Sequence, residues 1–367
     1  MTVAEPLSVF LVAPPGLEPQ LLAEARAIGL PGPKAVPGGV ECGGGWEAVR
    51  RANLRSRIAA RVLARIARFP ARGFPALQAG LRGLDWAAHL PADRPVRVEG
   101  AATRSRAAHG GAVGGHAARA LARAGLDVEA EASLRVLARL DRDVCTVSID
   151  TSGAPLHQRG HKQAVNRAPL RETLAAGLLR ACGYDGTGPV LDPMCGSGTI
   201  PIEAAEIAAG LPPGRARAFA FEDLPSHDPD RWAELRAGPP RPPAAAVLFH
   251  GSDRDAGAVA MAAANADRAG VGALCRFRQA AISDAAPEGP PGLVLTNPPY
   301  GVRVGQGRPH GLYAAFGRVM RDRFAGWRVA LVTTEADLAH ATGLPWDPPG
   351  PAIDHGGRKI RLWQAQL

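Results

Sequence analysis

Residues 190–199 read V-L-D-P-M-C-G-S-G-T. Val190 and Leu191 end a strand, Asp192 closes it, Gly196 and Gly198 lie in a turn, and Thr199 opens an apolar helical run, T-I-P-I-E-A-A-E-I-A-A. Strand, glycine turn and helix in that order bring backbone N–H groups and a helix N-terminus up to a ligand. Residues without Cβ let that ligand lie against the main chain. No G-K-[ST] follows the glycines, so no lysine serves a phosphate chain, and G-x-G-x-x-G is absent. A strand-end carboxylate with a Gly-x-Gly turn suits a ligand carrying a cation and hydroxyls, a description that S-adenosylmethionine meets. Taken alone, the loop also reads as a tight strand-to-helix turn of any α/β domain.

About one hundred residues on, 293–300 read L-V-L-T-N-P-P-Y. Leu293 to Thr296 is a short buried strand between proline-rich segments. Asn297, Pro298, Pro299 and Tyr300 follow at its C-terminal end, where open α/β sheets place ligands. The prolines fix φ and remove two N–H donors, which sets the direction of the neighbouring carbonyls. The Asn297 side-chain oxygen and the Pro298 carbonyl can together accept both hydrogens of an exocyclic amine, and Tyr300 offers a stacking face for a base.

The two stretches together resemble the Asn-Pro-Pro-Tyr class of Rossmann-like S-adenosylmethionine-dependent methyltransferases, which modify amino nitrogens. D-P-M-C-G-S-G-T-I-P-I-E-A-A, with L-H-Q-R-G-H at 156–161 and A-P-L-R-E-T-L-A-A at 168–176, resembles the THUMP-domain RNA guanine-N2 methyltransferases, and among them the 23S rRNA enzymes. The resemblance covers nearly the whole chain. It implies an α/β fold: a Rossmann-like methyltransferase domain over 154–367, preceded by an α+β module made of a ferredoxin-like part, 1–42, and a THUMP RNA-binding domain, 43–153. It also implies S-adenosylmethionine as cofactor, held by Asp192, Pro193, Met194, Gly196, Gly198 and Thr199.

Composition sets the frame for these motifs. The chain has 367 residues, enough for two or three domains with a sizeable core, and 46% of them are apolar. The abundance of Ala, Arg, Gly and Pro fits a GC-rich coding sequence. Five cysteines without C-x-x-C spacing argue for free thiols in a reducing compartment and against a zinc site. Cys195, inside the ligand loop, reads as a packing residue. The start, M-T-V-A-E-P, has no signal-peptide pattern, and no run of 18 apolar residues exists, so a cytoplasmic protein without a membrane span is expected. Net charge is +9; residues 1–154 carry 20 Lys and Arg against 14 acids, and the rest 23 against 20. Such a balance favours RNA as partner, met first by the N-terminal part.

In chain order, 7–13 reads as a strand, 17–28 as a helix and 36–42 as a glycine-broken edge strand, the start of a ferredoxin-like module. Residues 46–69 carry apolar positions four and five apart and predict one helix. Its seven arginines face a single acid, Glu47, so pairing within the helix cannot neutralise them, and Arg50, Arg51 and Arg55 become candidate phosphate contacts. Residues 96–102 read as a strand, 112–124 as a helix, and 133–140 with 144–150 as a hairpin. Within the THUMP domain that the resemblance implies, Arg104, Arg106 and Arg119 are candidate RNA contacts.

His157 and His161 lie in a polar connection without the acid or cysteine cluster a metal needs, so no metal is expected. Pro169 opens a helix at its first position. In related methyltransferases this helix flanks the cofactor. Residues 211–244 form a Pro/Arg-rich insertion whose Phe219, Phe221 and Trp232 either pack it down or meet RNA. The strand 246–250 leads to Asp253, at the position where ribose hydroxyls are bound. The strand 273–280 departs from relatives, which have an aspartate directly after it; here Asp284 is displaced into that role, or a backbone carbonyl takes it over. Arg303 and Arg308 sit on a glycine-rich loop that could meet RNA. A helix at 310–324, a strand at 328–333 and an antiparallel edge strand at 358–364 close the domain.

The expected product is an N2-methylguanine in 23S rRNA, made by a monomer. A tRNA guanine, a DNA adenine or a protein glutamine are alternative acceptors, and a non-catalytic RNA-binding protein is the alternative of a different class.

Overall fold

A computed structural model describes residues 7–105, 109–162, 170–238, 249–299 and 309–367. They form two compact units. One gathers 7–13, 21–156 and 217–238; the other gathers 14–20, 157–216 and the described part of 239–367.

The first unit is built on Ser8–Val12 (β1), Glu18–Ala27 (α1), Lys34–Val36 (β2), Gly39–Cys42 (β3), Gly45–Arg55 (α2), Arg61–Pro70 (β4), Phe74–Arg82 (α3), Val96–Thr103 (β5), Gly110–Arg123 (α4), Leu134–Asp141 (β6) and Val144–Asp150 (β7). The sheet order is β2-β3-β1-β4-β7-β6-β5, antiparallel apart from β5 beside β6. Period-two burial sets its apolar face: Leu134, Val136, Ala138 and Leu140 on β6 meet Cys145, Val147 and Ile149 on β7. The turn between them puts Arg142 and Asp143 at φ 50° and 58°, the conformation a two-residue hairpin turn demands.

Three expectations change here. The helix predicted over 46–69 is instead α2 followed by the long strand β4. Its apolar residues satisfy both periods, since Ile58, Val62 and Ile66 are four apart while Val62, Ala64 and Ile66 are two apart. Long-range pairing with β1 and β7 decides for the strand. The buried carboxyl of Glu24 ends the helix, accepting from Ser56 Oγ at 2.6 Å, Arg57 N at 2.9 Å and Ile58 N at 3.3 Å. The single strand expected over 36–42 is the hairpin β2–β3, because Pro37 has no N–H to give the ladder. Helix α3 lies where no element was expected.

The insertion also orders more than its composition promised. A 3-10 turn at Ala220–Asp223 and a helix at Pro229–Arg236 (α7) belong to the first unit. Phe219, Phe221 and Trp232 are buried there, with ring centroids 5.6 Å apart for the two phenylalanines and 5.0 Å for Phe221 and Trp232. They pack the insertion down.

The second unit contains Glu172–Ala181 (α5), Val190–Asp192 (β8), Thr199–Ala208 (α6), Phe249–Asp253 (β9), Ala256–Ala269 (α8), Cys275–Gln279 (β10), Leu293–Thr296 (β11), His310–Arg323 (α9), Arg328–Thr333 (β12), Ala336–Ala341 (α10), Ile353–His355 (β13) and Arg358–Gln366 (β14). The strand order is β10-β9-β8-β11-β12-β14-β13, parallel from β10 to β12 and antiparallel for β14 and β13. Helices α5, α6 and α8 pack together. Helices α9 and α10 cover a core that includes Val294, Phe316, Val329 and Leu331. β9 runs through Asp253, so that residue ends the strand. Pro169 and residues 246–248 lie outside the described residues. Among the described residues no helix is long and apolar enough to cross a membrane, and no group of three or more His, Cys, Asp or Glu could hold a metal ion.

Candidate functional site

In an open parallel sheet the crevice opens where the strand order reverses. Here that point lies between β8 and β11, neighbours with Val190 opposite Leu293 and Leu191 opposite Val294. The loops after both strands therefore flank one crevice, and they are the two motifs of the sequence.

Asp192 ends β8 and is buried. Its Oδ1 accepts from Met194 N at 3.1 Å and from Thr296 Oγ1 at 2.8 Å. Thr296 is the last residue of β11 and immediately precedes Asn297, so one hydroxyl ties the two motifs together. Burial pushes the Asp192 carboxyl up to about 7; the Thr296 and Met194 hydrogen bonds oppose this, and the charge of Asp253 adds to it.

Asp253, at the end of β9, accepts from Gly196 N at 3.0 Å through Oδ2 and from Asp255 N at 3.0 Å through Oδ1. The loop is held from three further directions. Cys195 N donates to Ser252 O at 2.9 Å, Gly198 N to Cys195 O at 2.9 Å, and the buried Asn265 side chain to Ser197 O at 3.1 Å. Gly196 and Gly198 have φ of 52° and 82°. A Cβ on Gly198 would stand 2.9 Å from the Ala262 Cβ, whereas one on Gly196 would meet nothing within 4 Å. The loop is thus closed toward α8 and open at Gly196. Burial raises the Cys195 thiol far above its ordinary range, in keeping with a packing role. Gly251 allows the close approach of β9, since a Cβ there would lie 2.6 Å from the Phe277 ring and 3.0 Å from Cys195 Sγ.

After β11, Asn297 is half-buried, Pro298 buried and Pro299 exposed. The Asn297 Oδ1 atom is buried without a hydrogen-bond partner among the described residues. An orphaned buried acceptor costs about 1–3 kcal/mol unless a donor arrives. A buried carboxylate with a raised pKa and an unpaired amide oxygen at the ends of adjacent strands fit a ligand pair that brings a cation and an N–H.

Residues 159–162 are positioned from α6. Arg159 is buried, its guanidinium bound to Glu203 and, at 3.3 Å, to Glu206. Lys162 Nζ donates to Thr199 Oγ1 and Leu170 O, both at 2.9 Å, and pairs with Glu172 at 3.3 Å. Burial draws the Lys162 pKa down, against the attraction of Glu172. Neither Lys162 nor Thr296 stands out in the sequence. Their parts come from cross-strand and cross-helix contacts that linear spacing does not encode. Met194 and Ile282 both lie against the core under α9. Asp284 is exposed in the turn after β10, with Ser283 Oγ donating to it at 3.2 Å.

The basic candidates divide. Arg50 is buried and donates to Ser226 O at 2.7 Å, so it is a packing residue. Arg51 pairs with Glu47 at 3.3 Å. Arg55 is exposed. Arg104 pairs with Asp141 at 3.3 Å, and Arg119 is exposed and bonded to His116. Arg106, Tyr300, Arg303 and Arg308 lie outside the described residues.

A family profile described as RMKL-like, methyltransferase domain, matches residues 159–345, and one described as RlmL ferredoxin-like domain matches residues 8–63. The chain is 34% identical over 364 residues to the Ribosomal RNA large subunit methyltransferase K/L of Psychromonas ingrahamii, a match over 92% of this chain and 47% of the relative. It is 36% identical over 367 residues to the protein of the same name from Chromohalobacter salexigens, over 93% and 50%. The chain spans about half the length of these curated relatives. Among solved structures it is similar to SMU.472, solved in complex with SAH, with a TM-score of 0.86, 26% identity, and 99% and 98% coverage of the two chains. TrmN from Thermus thermophilus shares the fold, with a TM-score of 0.75, 23% identity, and 98% and 100% coverage.

Proposed function

We propose, starting from the fact that this chain belongs to the RMKL-like methyltransferase family, that it transfers a methyl group from S-adenosylmethionine to the exocyclic N2 of a guanine in 23S rRNA. The names of the relatives support the RNA class, and the SAH bound to SMU.472 supports the cofactor. The observation that carries the chemistry is the unpaired, buried Oδ1 of Asn297, one strand from the Asp192 carboxylate.

S-adenosylmethionine supplies an electrophilic methyl group on a sulfonium. In the chain itself, Asp192 and the 193–199 loop hold the charged end of the cofactor, and Asp253 takes its ribose hydroxyls. A guanine amine is a poor nucleophile because its lone pair delocalises into the ring. Asn297 Oδ1 accepts one of its hydrogens, with the Pro298 carbonyl as the second acceptor, and so turns the lone pair out of the ring plane. Orientation and fixed dipoles then supply the rate. The nitrogen's proton becomes acidic only after transfer, so no strong base is required beforehand. The base reaches the crevice unpaired, and Tyr300 stacks on it.

Along the sequence, 1–42 and 43–153 serve as ferredoxin-like and THUMP parts that present RNA, and 154–367 as the methyltransferase domain, apart from 217–238, which pack in the first unit. Asp192, Thr296 and Asn297 come from one chain, which supports a monomeric working unit. A ribosomal substrate supports a cytoplasmic location.

The test is methyl transfer from labelled S-adenosylmethionine to undermodified 23S rRNA, total tRNA, DNA and protein, followed by nucleoside analysis. N2-methylguanosine in rRNA is expected. Asn297→Ala is expected to slow turnover on the order of 100-fold while cofactor binding persists. Label in tRNA alone would change the substrate; no label in any RNA would refute the function.

A further inference from the structure

Helices α3 and α4 of the first unit pack side by side and leave an open cleft between them. Gln78, Arg82, His116, Arg119 and Arg123 line it. Neither helix contains an acidic residue, and none of the three arginines has an ion-pair partner among the described residues. The cleft is also ordered in advance. His116 Nδ1 lies 3.1 Å from Gln78 Nε2 and 2.8 Å from Arg119 Nη2. Both neighbours are donors, so Nδ1 accepts and the ring is neutral with its proton on Nε2. Burial and the charge of Arg119 lower the pKa of His116, in agreement with that state. Arg119 is thereby fixed in direction before any ligand arrives, which reduces the entropy lost on binding.

At the N-terminal end of α3 stands Phe74, one of two exposed large hydrophobic residues among those described, 37% accessible. Its ring centroid is 4.9 Å from that of His116. Arginines in the last turns of α3 and α4 would by themselves offset the negative ends of two helix dipoles. That role calls for neither a third arginine held by a histidine nor an exposed aromatic ring beside them.

We infer that the α3–α4 cleft binds single-stranded RNA, with the backbone phosphates on Arg82, Arg119 and Arg123 and an unpaired base against Phe74. The guanidinium fork matches phosphate oxygens, and an exposed ring offers a stacking face that only an unstacked base can use. The inference rests on the RNA-methyltransferase reading and deepens it: the cleft places the substrate strand by sequence-independent contacts, distinct from the crevice that acts on the base.

The test uses the full chain and a fluorescein-labelled single-stranded RNA of mixed sequence, with a duplex of equal length beside it. Affinity is measured over a series of salt concentrations. The double variant Arg82→Ala/Arg123→Ala is expected to weaken single-strand binding on the order of tenfold and to reduce the slope of log affinity against log salt by about 1.4, or about 0.7 for each phosphate no longer neutralised. Phe74→Ala is expected to weaken binding several-fold with the slope unchanged. Binding of S-adenosylhomocysteine and the thermal midpoint report that each variant is folded. Folded variants that bind RNA with wild-type affinity and slope would overturn the inference, as would equal weakening for single strand and duplex. Failure of the functional reading looks different: the wild type would then methylate no RNA, whatever the salt slopes show.

Discussion

At the scale of single residues, Asp192 is the most informative group. Burial moves its carboxyl from 3.8 to about 7, so ionising it costs the folded state more than the unfolded one. Stability from this group is present below pH 4 and is lost as pH rises through 7. A ligand ammonium group, such as that on the amino-acid end of S-adenosylhomocysteine, reverses the preference, because it pairs with the carboxylate. The affinity for S-adenosylhomocysteine is therefore expected to rise from pH 6 to pH 8, measured by calorimetric titration. In the unliganded protein, Asp192→Asn should raise the thermal midpoint at pH 8, with the gap closing by pH 4, and should abolish that affinity. A flat profile between pH 6 and 8 would show that Asp192 does not titrate there. Thr296→Val removes the hydroxyl donor that stabilises the carboxylate, so the same profile should move to higher pH.

At the scale of elements, the turn from α2 into β4 depends on a residue 32 positions earlier. Glu24 takes the Ser56 hydroxyl and two backbone N–H groups that a continuing helix would have used. Glu24→Ala strands these donors in a buried place, and a loss of roughly 2–4 kcal/mol is expected in denaturant unfolding of the first unit. A loss below about 1 kcal/mol would mean that strand pairing alone sets the boundary. The same elements show what could be read from the chain beforehand. Helix α4, the β6–β7 hairpin and β12 were legible because their apolar residues follow one period only. The 56–70 stretch follows two, and the choice lies with β1 and β7, which no local window contains. The two site motifs were legible because each is contiguous and must place its groups at a strand end. The Thr296 bond to Asp192 was not, since it depends on which strands become neighbours. The insertion hid its aromatic cluster behind a proline- and arginine-rich composition.

At the scale of the molecule, the first unit is completed by residues 217–238, which lie beyond α6 in sequence. Arg217 donates to the carbonyls of Ser152, Ala154 and Pro155 at 3.0, 2.6 and 2.8 Å. Phe219, Phe221 and Trp232 bury their rings there. Burial of three such side chains is worth on the order of 5 kcal/mol or more. A chain of residues 1–156 alone is expected to melt well below the first unit of the full protein and to bind a hydrophobic dye. Fusing 217–238 after residue 156 through a flexible linker should restore the midpoint. An unchanged midpoint in the short chain would show that the insertion is not part of that core.

This threading also bears on inheritance. A gene recombines by single cuts, and a cut between residues 156 and 217 leaves one partner without part of its core and the other with an orphaned aromatic helix. The two units can therefore be exchanged between lineages only together, or by a matched crossover at every place where the chain passes from one unit to the other. Substitutions in 217–238 are expected to track those in 50–155 more closely than those in the flanking methyltransferase sequence.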